Sequence, residues 1–194
     1  FGRGGGFYLS DGEMDLRGTA ADDINISNNH VSTNAAVGGE KRGGGFWVSG
    51  SGRGAQVSLT NVKVDGNSTP RDGGGFYTRD GAKVTLNNAN ITNNRAETDG
   101  GGFHADYGED HIIINDGTIS GNIAGYQNDS EETPRGGGFS LAGKAEFTNV
   151  TVSNNRTDWL DVDGSDVNES SKDRRGGGAE IEGTAAFTAV NVTF

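Results

Sequence analysis

Apolar and polar positions alternate along this chain in short bursts that recur in a fixed order. The first burst follows a glycine triplet. Phe7-Tyr8-Leu9, Phe46-Trp47-Val48, Phe76-Tyr77-Thr78, Phe103-His104-Ala105, Phe139-Ser140-Leu141 and Ala179-Glu180-Ile181 share one pattern. Side chains alternate faces along a strand, so the flanking residues are expected inward and the middle ones outward. A second burst comes after a small turn: Met14-Asp15-Leu16, Val57-Ser58-Leu59, Val84-Thr85-Leu86, Ile112-Ile113-Ile114, Ala145-Glu146-Phe147 and Ala185-Ala186-Phe187. A third follows: Ile24-Asn25-Ile26, Val62-Lys63-Val64, Ala89-Asn90-Ile91, Gly117-Thr118-Ile119, Val150-Thr151-Val152 and Val190-Asn191-Val192. The period of two predicts three short strands per repeat.

The glycine triplets begin at Gly4, Gly43, Gly73, Gly100, Gly136 and Gly176, spaced 27 to 40 residues apart. A fixed motif at variable spacing predicts fixed strands joined by one variable loop. The glycines suit a sharp turn that passes close to its neighbour. Asn29, Asn67, Asn94, Asn122 and Asn155 each lie three residues past the last apolar residue of the third burst. Asn suits such a corner, and stacked copies would form an amide ladder. Three strands and their corners describe one coil, which needs neighbours to close its core. Parallel crossovers are right-handed in most cases. The expectation is an all-β, right-handed parallel β-helix of about six coils, forming a single domain over residues 1–194. An antiparallel sandwich would not require the same triplet before every third strand.

The variable corner is short in Ser68–Asp72 and Arg95–Asp99, longer in His30–Arg42 and Ile123–Arg135, and longest in Arg156–Arg175. These loops should cluster along one edge, where functional variation usually sits. The chain begins three residues before a triplet and stops at Phe194 without an amphipathic cap. The expectation is a segment of a longer solenoid, or a subunit that stacks on another.

Composition narrows the classes. Hydrophobic content is only 31%, which a thin solenoid core tolerates. The net charge of −11 disfavours nucleic acid, whose phosphates want a basic stripe. There is no cysteine, hence no disulfide or thiolate metal site. No apolar run approaches the ~20 residues that span a bilayer.

The Gly-Gly-Gly-Phe runs and the Ile/Val-x-x-Asn corners resemble the repeats of chlamydial polymorphic outer membrane proteins and related bacterial and archaeal surface proteins. That family repeats Gly-Gly-Ala-Ile-like and Phe-x-x-Asn tetrapeptides. These residues have Gly then Phe where the family has Ala then an aliphatic residue, and Ile or Val where it has Phe, and the family's C-terminal translocation barrel is not among the 194 residues. The resemblance covers the whole chain and implies a right-handed β-helix with an extracellular or cell-surface role. It implies no catalytic residues.

Three features are candidates for chemistry. Tyr8, Trp47, Tyr77 and His104 fall at the outward position of the first strands. An exposed aromatic row would suit docking of another subunit or stacking of a polysaccharide, against the plainer reading that cross-strand aromatic pairs stabilise the sheet. Asp161, Asp163, Asp166, Asn168 and Glu169 place alternate oxygens around Gly164, which makes calcium the candidate cofactor. The glycine falls fourth, whereas an EF-hand places it sixth, so an ordinary acidic loop competes. Asn-x-Ser/Thr sequons begin at Asn25, Asn67, Asn90, Asn128, Asn149, Asn155, Asn168 and Asn191. They are glycosylation candidates in a secreted chain, although a polar outer face generates such triplets by accident.

An enzyme acting on polysaccharide would want paired carboxylates at a defined separation. Asp15, Glu146 and Glu180 fall on distant coils or different strands, and His104 has no carboxylate partner evident in the sequence. The reading is therefore a non-enzymatic surface β-helix forming a rigid stalk, sheath or filament. Its expected partners are itself, head-to-tail or laterally, other envelope proteins, or polysaccharide. An adhesin or carbohydrate-binding module is the alternative, and a polysaccharide-active enzyme ranks third.

Overall fold

The computed structural model describes residues 3–32, 40–50, 54–125, 133–158 and 176–194. Among the described residues every regular element is a strand, and every strand pair is parallel. Three sheets form. The first contains Phe7–Leu9, Phe46–Ser49, Phe76–Arg79, Phe103–Ala105, Phe139–Leu141 and Ala179–Ile181, neighbours in that order. The second contains Gly12–Arg17, Ala55–Asp65, Lys83–Thr92, His111–Ser120, Lys144–Ser153 and Ala186–Val190, with Ile24–Ser27 also paired to Ala55–Asp65. The third is narrow: Ser68–Thr69, Arg95–Ala96, Ile123–Ala124 and Arg156–Thr157. Each strand bonds the equivalent strand of the adjacent repeat, so the architecture is solenoid-like.

The structure merges the second and third bursts. Ala55–Asp65 is one strand in which Ala55, Val57 and Leu59 are buried, then Val62 and Val64. Two residues, Thr60 and Asn61, separate the buried sets where alternation allows one. Asn61 has φ 61°, and the equivalent Asn88, Asp116 and Asn149 have φ 51°, 56° and 55°. One left-handed residue bends the strand and resets its phase. Without it, every apolar residue past the bend would face water.

The last repeat is displaced by two positions from the sequence reading. Phe187 pairs with Ala145, Val190 with Thr148, and Thr193 bridges Thr151. Asn191, φ 53°, therefore takes the bend position of Asn149 and not an outward strand position. The variable corners after Asn67, Asn94, Asn122 and Asn155 also begin with two-residue strands, too short to announce themselves in the sequence.

The core is made of columns. Phe7, Phe46, Phe76, Phe103 and Phe139 stack with ring centroids 4.7 to 5.1 Å apart and planes within 6°. This is the strand spacing expressed in side chains. Each fully buried Phe contributes roughly 2–3 kcal/mol of transfer free energy. The triplet explains itself at Gly73–Gly75. Gly73 is left-handed at φ 71°. A Cβ on Gly74 would lie 2.2 Å from Gly101 O, and one on Gly75 would lie 2.4 Å from Gly102 O. Backbone passes directly over backbone.

The amide ladder expected at the corner is present, with its central members Asn67, Asn94 and Asn122 fully buried. Asn29, Asn67, Asn94, Asn122 and Asn155 form one continuous series. Each of the first four donates its backbone N–H and Nδ2 to the Oδ1 of the next, at 2.9 to 3.0 Å.

Candidate functional site

The outward residues of the first sheet are in register, but they do not meet solvent. Tyr8 lies beside Trp47, Trp47 beside Tyr77, and Tyr77 beside His104. Their ring centroids are 5.6, 5.1 and 5.5 Å apart. Trp47 and Tyr77 are 0% exposed and His104 only 8%, while Tyr8 is half-buried. The open platform expected from alternation is thus a second buried layer. The reason is a set of arginines laid across it. The Arg3 guanidinium sits 5.3 Å from the Tyr8 ring and 5.0 Å from Trp47. Arg79 covers Trp47 at 5.0 Å and Arg42 covers Tyr77 at 4.9 Å. A weakly hydrated guanidinium stacks on an aromatic face at little desolvation cost.

Those arginines are held by carboxylates. Arg42 Nε donates to Asp72 Oδ2 at 2.6 Å, and Arg79 Nη1 to Glu40 Oε2 at 2.5 Å. Arg135 Nη1 donates to Glu182 Oε1 at 2.9 Å. The sequence reading missed these groups. The available signal was the residue before each triplet: Arg3, Arg42, Asp72, Asp99 and Arg135 form one column of ionisable side chains. Three bonds fix its register. Gly43 N donates to Asp72 O, Gly73 N to Asp99 O and Gly100 N to Arg135 O, at 3.1, 2.8 and 2.9 Å.

The electrostatics of the layer are uneven. Burial acts to raise the Asp72 carboxyl, but in the acid range where it titrates the protonated form of His104, with Arg42 and the Thr98 hydroxyl, outweighs burial and holds it below the usual range. Asp99 goes the other way. Burial and the Asp72 charge push it up to about 7 against Arg135, and its Oδ1 has no hydrogen-bond partner. Burial holds His104 below the usual imidazole range, so it is neutral at pH 7, and its Nδ1 has no partner. Tyr77 donates its hydroxyl to Asp106, and burial together with that bond pushes its ionisation upward. Asp110, fully buried, accepts Gly81 N at 2.8 Å and Ala82 N at 2.9 Å, and burial pushes it up to about 7.

Chemically, Asp72, Asp99 and neutral His104 have the residue types of an acid–base centre with carboxylates of divergent affinity for protons. The cations and carboxylates around them are engaged chiefly with one another. Among the described residues no group of three or more His, Asp or Glu side chains is placed to hold a metal ion. The calcium candidates Asp161, Asp163, Asp166, Asn168 and Glu169 lie outside the described residues, as do the sequons at Asn128 and Asn168. His111 and Glu146, which the sequence left apart, meet at 3.2 Å on the second sheet, where Lys144 also reaches Glu146 at 2.5 Å.

The remaining sequons separate by geometry. Asn67 and Asn155 spend Nδ2 on the carbonyls of Ile26 and Ile119, both at 2.8 Å, inside the amide ladder. A glycan on Asn67, which is fully buried and gives Nδ2 to Asn94 as well, is incompatible with this fold. Asn90 donates to Asp22, Asn149 to Asp116 and Asn191 to Asn149, at 2.8, 2.9 and 3.1 Å. Asn25 is exposed and its amide only accepts, from Ser27. No family model, curated protein or solved structure matches the chain.

Proposed function

We propose that the chain is a right-handed parallel β-helix of about six coils that serves as a rigid, non-enzymatic structural element outside the cell, in a stalk, sheath or filament. The observation that carries this reading is the unbroken register of the Phe column and the Asn ladder. The four central repeats each supply one strand to each sheet in the same order, as closed coils would. Right-handed winding follows from the preference of parallel crossovers. Such a stack resists bending, because the central repeats are tied to one another through backbone bonds in all three sheets. The extracellular placement rests on the repeat resemblance to surface proteins. Partners would be further copies or other envelope proteins.

An adhesin is the second reading. The loops leave one corner of every repeat and could present a binding surface on a rigid rod. Three assays separate the readings from each other and from an enzyme. A structural rod binds no glycan on an array, turns over no acidic polysaccharide, and forms ordered end-to-end or lateral arrays by electron microscopy. Saturable glycan binding by discrete particles would favour the adhesin, and turnover would overthrow both.

A further inference from the structure

We propose that Asp72 and Asp99 form a single-proton site: two carboxylates on adjacent repeats, between Arg42 and Arg135, that take up one proton at Asp99 and so make the layer over the aromatic ladder pH-sensitive. The inference is independent of the structural role proposed above.

The geometry leaves Asp99 to share its nearest cation, Arg135, whose charge and backbone N–H act on it but do not outweigh burial and the Asp72 charge. Backbone bonds put Arg42, Asp72, Asp99 and Arg135 on four consecutive repeats. Arg42 commits its Nε to Asp72 at 2.6 Å. Arg135 commits Nη1 to Glu182 at 2.9 Å. Thr98, next to Asp99 in the chain, gives its hydroxyl to Asp72 as well. Even the Asp99 backbone N–H points at Asp72 Oδ1, at 3.5 Å. Asp99 Oδ1 is buried with nothing to accept from.

The other groups facing the pair do not supply the missing charge. His104, on the adjacent first strand, is kept neutral by burial. Asp106 is engaged with the Tyr77 hydroxyl. Glu182 adds negative charge from the last described repeat. Like charges at the equivalent corner of neighbouring repeats in a water-poor layer cannot both ionise freely. The raised affinity of Asp99 and the lowered affinity of Asp72 agree with that division. The proton comes from bulk water, converts Asp99 to a neutral acid, and gives it an O–H donor.

The sign follows from linkage. Asp99 binds its proton more tightly folded than unfolded, so it favours the folded state progressively as pH falls from about 7 toward about 4. Asp110 acts in the same direction. His104, held low, acts in the opposite direction below its unfolded value. The test is therefore a comparison of the whole chain with Asp99→Asn, by urea unfolding between pH 4.5 and pH 8. The unfolding constant of the wild type relative to the variant should fall about tenfold per pH unit from pH 7 downward. Parallel pH profiles would overturn the proposal. Asp110→Asn, as a control, should keep the Asp99-linked slope. If Asp99→Asn does not fold, carboxyl 13C NMR on the wild-type chain decides. A midpoint near 7 for Asp99 supports the site, and a midpoint near or below 4 overturns it.

Discussion

Asn67 and Asn94 are joined twice: Asn67 gives both its backbone N–H and its Nδ2 to Asn94 Oδ1, each at 3.0 Å. Both residues are fully buried, and Asn94 Nδ2 reaches back to Val64 O at 2.9 Å. Truncating Asn94 strands two donors of Asn67 and the Val64 carbonyl without water. Each buried orphan costs about 1–3 kcal/mol. Asn94→Ala should therefore lose on the order of 3 kcal/mol or more in urea unfolding, whereas exposed Asn25→Ala should change stability by less than about 0.5 kcal/mol.

Position within the stack should decide what a glycine tolerates. A Cβ at Gly74 would sit 2.2 Å from Gly101 O, while at the equivalent Gly177 the nearest atom, Asn155 O, is 3.3 Å away. Gly74→Ala has to push apart two backbones that are bonded on both sides. It should destabilise the chain by about 3 kcal/mol or abolish folding. Gly177→Ala should stay within about 1 kcal/mol of wild type, read as a difference in thermal midpoint.

Trp47 is a residue of the interior. Its ring is closed in by Arg3, Arg79, Tyr8 and Tyr77. In a chain carrying Trp159→Phe, its fluorescence should be blue-shifted and shielded from acrylamide until the protein unfolds. Trp47→Ala should cost about 3–5 kcal/mol, the range for large core truncations. An emission maximum like that of free tryptophan would show the ladder to be open.

The charge of Asp72 helps to raise Asp99. Asp72→Asn should accordingly move the Asp99 midpoint down from about 7 toward the ordinary carboxylate range, as read by 13C NMR. Asp72 itself titrates below its unfolded value. Its own contribution is therefore present above about pH 4 and is lost as pH falls further. The variant should flatten the acid end of the stability profile.

Much of the fold is legible in the sequence because the residues that make it repeat by identity. Phe after the triplet and Asn after the third burst each occupy one column, and a column of identical side chains needs no alignment to find. What escaped had other causes. The break in alternation at Thr60-Asn61 reads as a strand end, yet a single left-handed residue lets the strand continue. The alanine-rich stretch Thr184–Ala189 offers no contrast between faces, so its register slipped by two. Strands of two residues, such as Arg95–Ala96, are too short to show a period. Alternation correctly put Trp47 and Tyr77 on the face opposite the Phe column. It could not reveal the cover, because Arg42 and Arg79 reach those rings from other repeats. The ionisable column before the triplets was visible residue by residue. Its consequence depends on which neighbour claims each arginine, and only the structure assigns Arg42 to Asp72 and Arg135 to Glu182.

The most direct test of the structural role is cryo-electron tomography of cells of the source organism, with the chain labelled by gold-conjugated antibody. Labelled straight rods on the outer face of the envelope, with a repeat spacing near the ~4.8 Å strand separation in averaged density, are expected of a surface β-helix. Label confined to the cell interior, or dispersed with no extended density beneath it, would contradict that role.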